Sequence, residues 1–348
     1  MPALDERKQN TVNLRCSYEV CETCLLFRYC ETCYNETCLF EECNQFCGRC
    51  PVTCHSNPDP HFEEVDLAKL QVARSTAAFN FKCAWFPTIR KNPLLKKIHL
   101  EVVAVKFEEV YNFKSGLMRA LDLHDYFELP LKTKIILTFN IPDKILEKIW
   151  LIFLQKSFKL IIKGLKVDYI CSPNFSNFFD TPRYQYWRNI WRSIKMTNEL
   201  IELGHNVIFD VSSPVPATHR YYIKLIKRSR INSLVFNCQT TKLNRYKQLV
   251  YERFKFFNSL DNKIPFIITG LTSKAESLPI YKALPNRLIY FTSTSPYLKA
   301  ICQHTLSTHR KVNQSPLELL RIYFAMMQKL HEGLRNETRY GCKKINKI

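Results

Sequence analysis

Ten of the fifteen cysteines fall between residues 16 and 54, at positions 16, 21, 24, 30, 33, 38, 43, 47, 50 and 54. Three Cys-x-x-Cys pairs stand among them, Cys21/Cys24, Cys30/Cys33 and Cys47/Cys50. That spacing lets two thiolates of one tight turn reach a single ion, and it recurs in both zinc and iron–sulfur sites. In a secreted mini-protein the same density would form a disulfide framework. Here the N-terminal stretch MPALDERKQN is polar, and no apolar segment of signal-peptide type follows it. The chain therefore reads as intracellular, cytoplasmic or organellar, and not secreted. In a reducing compartment the expectation is metal-bound thiolate, with Cys21, Cys24, Cys30, Cys33, Cys38, Cys43, Cys47, Cys50 and Cys54 as ligands to zinc or a [4Fe-4S] cluster.

A second group of residues offers acid–base and hydrogen-bonding chemistry. Asp210 ends the apolar run VIFD, where burial raises a carboxyl pKa and suits it to act as a base or nucleophile. Similar runs end in Ser172 and Asn174, in Asn237 and Gln239, in Thr269 and Thr272, and in Thr292 and Ser293, while Ser212 and Ser213 follow Asp210. Asp210, Asn174 and Asn237 are the candidate catalytic residues. Turns favour Ser, Thr, Asn and Asp in any case, so only Asp210 stands out by type. A third group is basic and aromatic: Trp187 and Trp191 lie one helical turn apart, as do Arg188 and Arg192, with Lys227 and Arg228 further on. Guanidiniums beside stacking rings suit nucleic acid or an anionic cofactor. The alternative packs the tryptophans on a sheet and leaves the arginines in solvent.

These residues must be held by alternating elements. From about residue 133 short β-branched runs recur, KIILTF, KVDYIC, NVIFDV, SLVFN, IPFIIT and RLIYFT. Between them helical stretches are predicted at about 143–163, 181–203, 217–229, 244–260, 276–284 and 296–306. Such alternation implies right-handed βαβ units and a parallel sheet. A TIM-like barrel, complete or incomplete, is the first choice, and an open doubly wound sheet is the second. In both, a ligand site forms at the carboxyl ends of the strands. The expected organisation is an acidic cysteine-rich metal module over 1–70, a basic α/β domain over 71–310, and a C-terminal helix with a basic tail over 311–348. Residues 71–132 carry the weakest signal.

Composition narrows the classes of function. Only seven glycines occur, and no two lie closer than eight residues. The Gly-x-Gly-x-x-Gly fingerprint, the P-loop and the Gly-x-Ser-x-Gly elbow are therefore absent. Residues 1–70 hold 6 Lys+Arg against 12 Asp+Glu, a net of −6, and residues 71–348 hold 45 against 19, a net of +26, which together make the +20 of the whole chain. The basic part attracts polyanions, whereas an acidic cysteine module is a poor reader of phosphates. The most apolar stretch, IWLIFLQKSFKLIIKGL, is interrupted by Lys156, Lys159 and Lys163 and is too broken to cross a bilayer, so no membrane partner is expected.

Two resemblances add to this. The segment VDYICSPNFSNFFDTPRYQYWRNIWRSIKMTNELIELGHNVIFDVSSP resembles the domain of unknown function 4417, a family carried by phages, plasmids and other mobile elements. Its pattern is a strand ending in Ser-Pro-Asp-Phe-Ser, an Asp-x-Pro helix start, an Arg-rich aromatic helix and a strand entering a Ser-rich loop. The similarity spans about 130–305, with Asn174 where the family has Asp. It implies a mobile-element context. Separately, Cys43-Asn-Gln-Phe-Cys47-Gly-Arg-Cys50 resembles the three-cysteine run of radical S-adenosylmethionine enzymes, which implies a cluster on Cys43, Cys47 and Cys50 that binds S-adenosylmethionine. The family's aromatic residue is missing there, since Gly48 and Arg49 occupy the positions before Cys50.

Three readings follow: a nucleic-acid-associated accessory protein of a mobile element with a structural zinc or iron–sulfur module, an enzyme acting on a nucleobase or nucleotide through Asp210, and a radical enzyme. The first and third require the cysteines to hold metal. Protein purified without oxygen is expected to carry zinc, or iron with labile sulfide, by elemental analysis. A metal-free preparation with intact thiols contradicts that expectation.

Overall fold

The computed structural model describes residues 69–74, 79–153, 155–177, 183–212, 216–238, 244–305 and 311–345. All ten clustered cysteines lie outside them.

Eight strands form the frame: β1 (Trp85–Ile89), β2 (Val102–Lys106), β3 (Lys134–Thr138), β4 (Tyr169–Cys171), β5 (Val207–Asp210), β6 (Leu234–Asn237), β7 (Phe266–Thr269) and β8 (Ile289–Ser293). Each pairs in parallel with its neighbours in chain order, and β1 closes the ring by pairing with β8 at Trp85↔Phe291 and with β2 at Thr88↔Ala104. The fold is therefore the TIM-like barrel in its complete form, and the open doubly wound sheet is ruled out. The six runs expected from residue 133 onward are β3 to β8. The two strands that complete the ring, β1 and β2, come from the segment of weakest signal.

The outer ring holds α1 (Phe107–Val110), α2 (Leu123–Phe127), α3 (Asp143–Phe153), α4 (Lys156–Lys163), α5 (Arg183–Glu202), α6 (Pro216–Ser229), α7 (Asn244–Phe257), α8 (Lys274–Ala283), α9 (Ser295–Ile301) and α10 (Pro316–Ile345). The single helix expected over 143–163 is two, because Gln155 takes an extended conformation (φ −81°, ψ 135°) at the start of α4. Between β1 and β2 the chain makes only a 3-10 turn, Leu95–Lys97, in place of a helix. The C-terminal helix covers that gap: Phe324 of α10 packs on the Trp85 ring at 5.6 Å, and the Trp85 amide donates to Gln328 Oε1 at 3.1 Å. Among the described residues no helix is long and apolar enough to cross a membrane.

Two cores result. The larger lies between sheet and helices. The smaller fills the barrel with Phe86, Val102, Ala104, Ile136, Cys171, Ile208, Val235, Ile267 and Tyr290. Phe79 and Phe81, just upstream of β1, stack at 4.9 Å and meet Tyr169 and Tyr290 near the starts of β4 and β8. Their rings cap the amino end of the barrel core.

One buried cation ties the wall together. Arg287, 2% exposed, donates to the carbonyls of Leu260 (2.8 Å), Asp261 (2.6 Å) and Ile264 (3.0 Å) and stacks over Phe266 at 4.2 Å. Burial lowers its pKa to about 10, with Asp261 pulling the other way. Removing it takes a donor from all three carbonyls, of which that of Asp261 keeps a bond from the Ile264 amide at 3.1 Å. Arg287→Ala is expected to reduce stability by about 3 kcal/mol, read from urea unfolding; an unchanged midpoint contradicts this role.

Candidate functional site

Successive side chains on a strand point to opposite faces, so the residues of the inner core fix which others look inward. Two positions further toward the carboxyl ends, the same inner face carries Thr88, Lys106, Thr138, Asp210, Asn237, Thr269 and Thr292, one from each strand except β4. The lining thus changes from apolar to polar in one step. Thr88 and Thr292 share a hydrogen bond at 3.0 Å. Asn140, two residues beyond Thr138, donates to Thr269 Oγ1 at 3.3 Å and accepts from Asn237 Nδ2 at 2.9 Å, while Thr269 Oγ1 donates to Asn237 Oδ1 at 3.3 Å. The Asn237 amide is therefore held in one orientation. Lys106 lies 3.7 Å from Glu108.

Asp210 is the acidic member of this floor. It is 4% exposed, and its amide donates to Ser172 Oγ at 2.7 Å, which pins the ends of β4 and β5 together. Its Oδ1 is buried with no hydrogen-bond partner. Burial drives its pKa well above the ordinary carboxylate range, against a smaller pull from Arg253. Neighbouring groups respond in kind: the Cys171 thiol and the Tyr222 phenol are both pushed up, first by burial and then by Asp210. The carboxyl is thus biased to the protonated form, in which it can donate a hydrogen bond or a proton.

The other residues expected from sequence are distributed unevenly. Asn174, 8% exposed, sits in the loop after β4 with its Oδ1 unpartnered. That loop is tied to α5, where Ser193 Oγ donates to the Pro173 carbonyl and Asn189 Nδ2 to the Ser176 carbonyl, both at 2.9 Å. Ser293 faces outward and accepts from Trp85 Nε1 at 3.2 Å, and Ser273 with Glu276 forms the capping box of α8.

Trp187 and Trp191 are buried, as the packing alternative has it, but the arginines beside them are buried too, which corrects their expected exposure. Arg192 bonds Glu147 of α3 at 2.6 Å and lies 4.0 Å over the Phe175 ring. Its charge is answered inside the fold, behind the loop that carries Asn174. Arg188 is 5% exposed. Lys227 and Arg228 are exposed at the end of α6. Helices run back from the carboxyl ends of the strands, so that position is at the amino end of the barrel, opposite the mouth. The four basic residues do not share one surface.

Among the described residues no group of three or more His, Cys, Asp and Glu side chains could hold a metal ion; Cys43, Cys47 and Cys50 lie outside them. Sequence reasoning missed Thr88, Lys106, Thr138 and Asn140. Thr138 and Asn140 could have been found by carrying the alternation of KIILTFN past its apolar part. Thr88 and Lys106 could not, because β1 and β2 were not assigned.

No family model matches the sequence, and no curated protein matches it. Among solved structures, the chain is similar to a cube-shaped, highly porous protein cage designed by fusing symmetric oligomeric domains, with 9% identity, 76% of this chain and 78% of that one covered, and a TM-score of 0.42.

The protonation of Asp210 has a measurable sign. Its pKa is raised in the folded state, so the stability linked to it is fully present below the unfolded value of about 4. It is lost as pH rises toward the folded pKa. Asp210→Asn keeps the shape without the ionisation. The variant is expected to be more stable than wild type at pH 7 by about 1–3 kcal/mol, with a flatter dependence above about pH 4. A variant less stable at neutral pH contradicts the burial of an unanswered acid.

Proposed function

We propose that the chain is an enzyme whose active site is the barrel mouth, acting on the base of a nucleotide with Asp210 as the proton-transferring group. The observation that carries this reading is the switch of the inner face from apolar to polar at the carboxyl ends, with a buried carboxyl oxygen left unpartnered among fixed amides. A barrel needs no such layer to fold, and an unanswered buried polar atom destabilises it. A neutral carboxyl beside an oriented Asn237 offers the donor and acceptor edge that a planar heterocycle requires. Asp210 would protonate a ring nitrogen or exocyclic oxygen and then carry the negative charge in the field of Arg253. The net +26 of residues 71–348 speeds encounter with phosphate-bearing molecules. In this reading nucleic acid enters as a source of substrate, not through the arginines of α5.

Calorimetric titration with AMP, GMP, CMP and UMP tests the proposal. At least one is expected to bind, with affinity reduced about tenfold, the equivalent of 1.4 kcal/mol, by Asn237→Ala and with any conversion abolished by Asp210→Asn. Absence of binding by all four at millimolar concentration contradicts it.

A further inference from the structure

One side chain lies across the mouth of the barrel. Phe139 and Ile141, on either side of Asn140, are buried in the layer between sheet and helices, and the Ile141 amide donates to the Phe139 carbonyl at 2.9 Å. Asn140 is therefore the apex of a tight three-residue turn, anchored on both sides. It follows β3, yet its Nδ2 donates to Thr269 Oγ1 on β7 at 3.3 Å and its Oδ1 accepts from Asn237 Nδ2 on β6 at 2.9 Å. In this ring of eight, β7 stands directly opposite β3, so the side chain spans the opening. Asn140 lies two residues beyond Thr138, the register partner of Cys171, and Asn237 two beyond Val235, the register partner of Asp210. The bridge thus sits one layer above Cys171, which is 4% exposed, and above Asp210, whose Oδ1 is shut off from solvent.

The bridge has the chemistry of a ligand. A carboxamide carries an acceptor and a donor on two atoms joined through one carbon, and here it offers the acceptor to Asn237 and the donor to Thr269. The hydrogen-bonding edges of nucleobases hold an acceptor and a donor in the same relation, as carbonyl beside ring N–H or ring nitrogen beside amino group. The turn itself is held by Phe139 and Ile141, and neutral hydrogen bonds of this kind contribute little net stability. A change of χ1 rotamer withdraws the carboxamide without moving the backbone. A planar molecule with the same edge can then take its place on Asn237 and Thr269.

We propose that Asn140 is a plug that stands in for the ligand: its carboxamide fills the place of an amide-type edge in the free protein, and a ligand with that edge displaces it to reach Asp210. Asn140 is in this account a positioning residue that sets which edge is admitted and keeps the acid shielded until it is. Displacing the plug lowers the apparent affinity by the fraction of molecules that are closed. This deepens the nucleotide-base reading and rests on it for the identity of the ligand, but the plug can be tested without any nucleotide, because the Cys171 thiol reports whether the mouth is open.

Modification of Cys171 by methyl methanethiosulfonate is followed by peptide mass spectrometry at one alkaline pH in wild type, Asn140→Ala and Asn140→Ser. Cys238, buried between sheet and helices, serves as the control for general loosening. Both variants should react at Cys171 about tenfold faster than wild type or more, with Cys238 unchanged. Asn140→Ser, too short to bridge, is the test if the Ala variant does not fold. Acetamide, which restores the missing edge, should slow Cys171 in Asn140→Ala, and acetone, which has no N–H, should not at the same concentration. An unchanged Cys171, or Cys171 and Cys238 accelerated alike, overturns the plug, and equal effects of acetamide and acetone overturn the amide-type edge. Any of AMP, GMP, CMP and UMP that binds wild type should bind both variants several-fold tighter. If a nucleotide binds all three proteins equally, the plug fails and the base-recognition reading stands. If Cys171 opens as expected while no nucleotide binds, the plug stands and that reading fails.

Discussion

Closure of the sheet between β1 and β8 is the constraint on which the remaining features depend. An open sheet would present its carboxyl ends along a line, whereas a closed ring brings the ends of all eight strands around one opening. Closure here rests on the strand with no helix of its own after it. Strand β1 is held from outside by α10, through Trp85, Phe324 and Gln328, and at its end by the Thr88–Thr292 hydrogen bond. The C-terminal helix is thus part of the barrel wall, and the mouth depends on residues more than two hundred positions apart in sequence.

Below the mouth the barrel is ordinary: aromatic and aliphatic side chains fill it, and Phe79 with Phe81 caps its amino end. Hydrogen bonds from buried side chains tie the wall together at Arg287, at Arg192 and in the loop after β4. Unpartnered buried atoms occur elsewhere too, at Arg287 Nε, Asn174 Oδ1 and both ring nitrogens of His331, so what sets Asp210 Oδ1 apart is its place on the inner face at the end of β5. Asp210 opposes stability as it stands, and proteins tolerate such groups mainly where function requires them.

Much of this was legible in the sequence, for identifiable reasons. Strands β3 to β8 stand out because short β-branched runs alternate with helical stretches of ordinary length. Asp210 was legible because it is a charge inside an apolar run. Strands β1 and β2 were not, since Pro87 disturbs the first and a 3-10 turn replaces the helix between them. Arg253 was hidden for another reason. It lies in NRYKQLVYERFKFF, where several cations share one helix and only the packing of α7 against β6 decides which of them turns inward. Arg188 and Arg192 misled for the converse reason: their type suggests solvent, but Glu147 of α3 and the Phe175 ring draw Arg192 into the core.

The central claim is that Asp210 is a neutral acid at the floor of the mouth. Infrared difference spectroscopy of wild type against Asp210→Asn at neutral pH addresses it directly. The account predicts a C=O stretching band of a protonated carboxyl in wild type that is missing in the variant. A difference spectrum showing only carboxylate bands would mean that Asp210 is ionised, and would contradict its role as a proton donor.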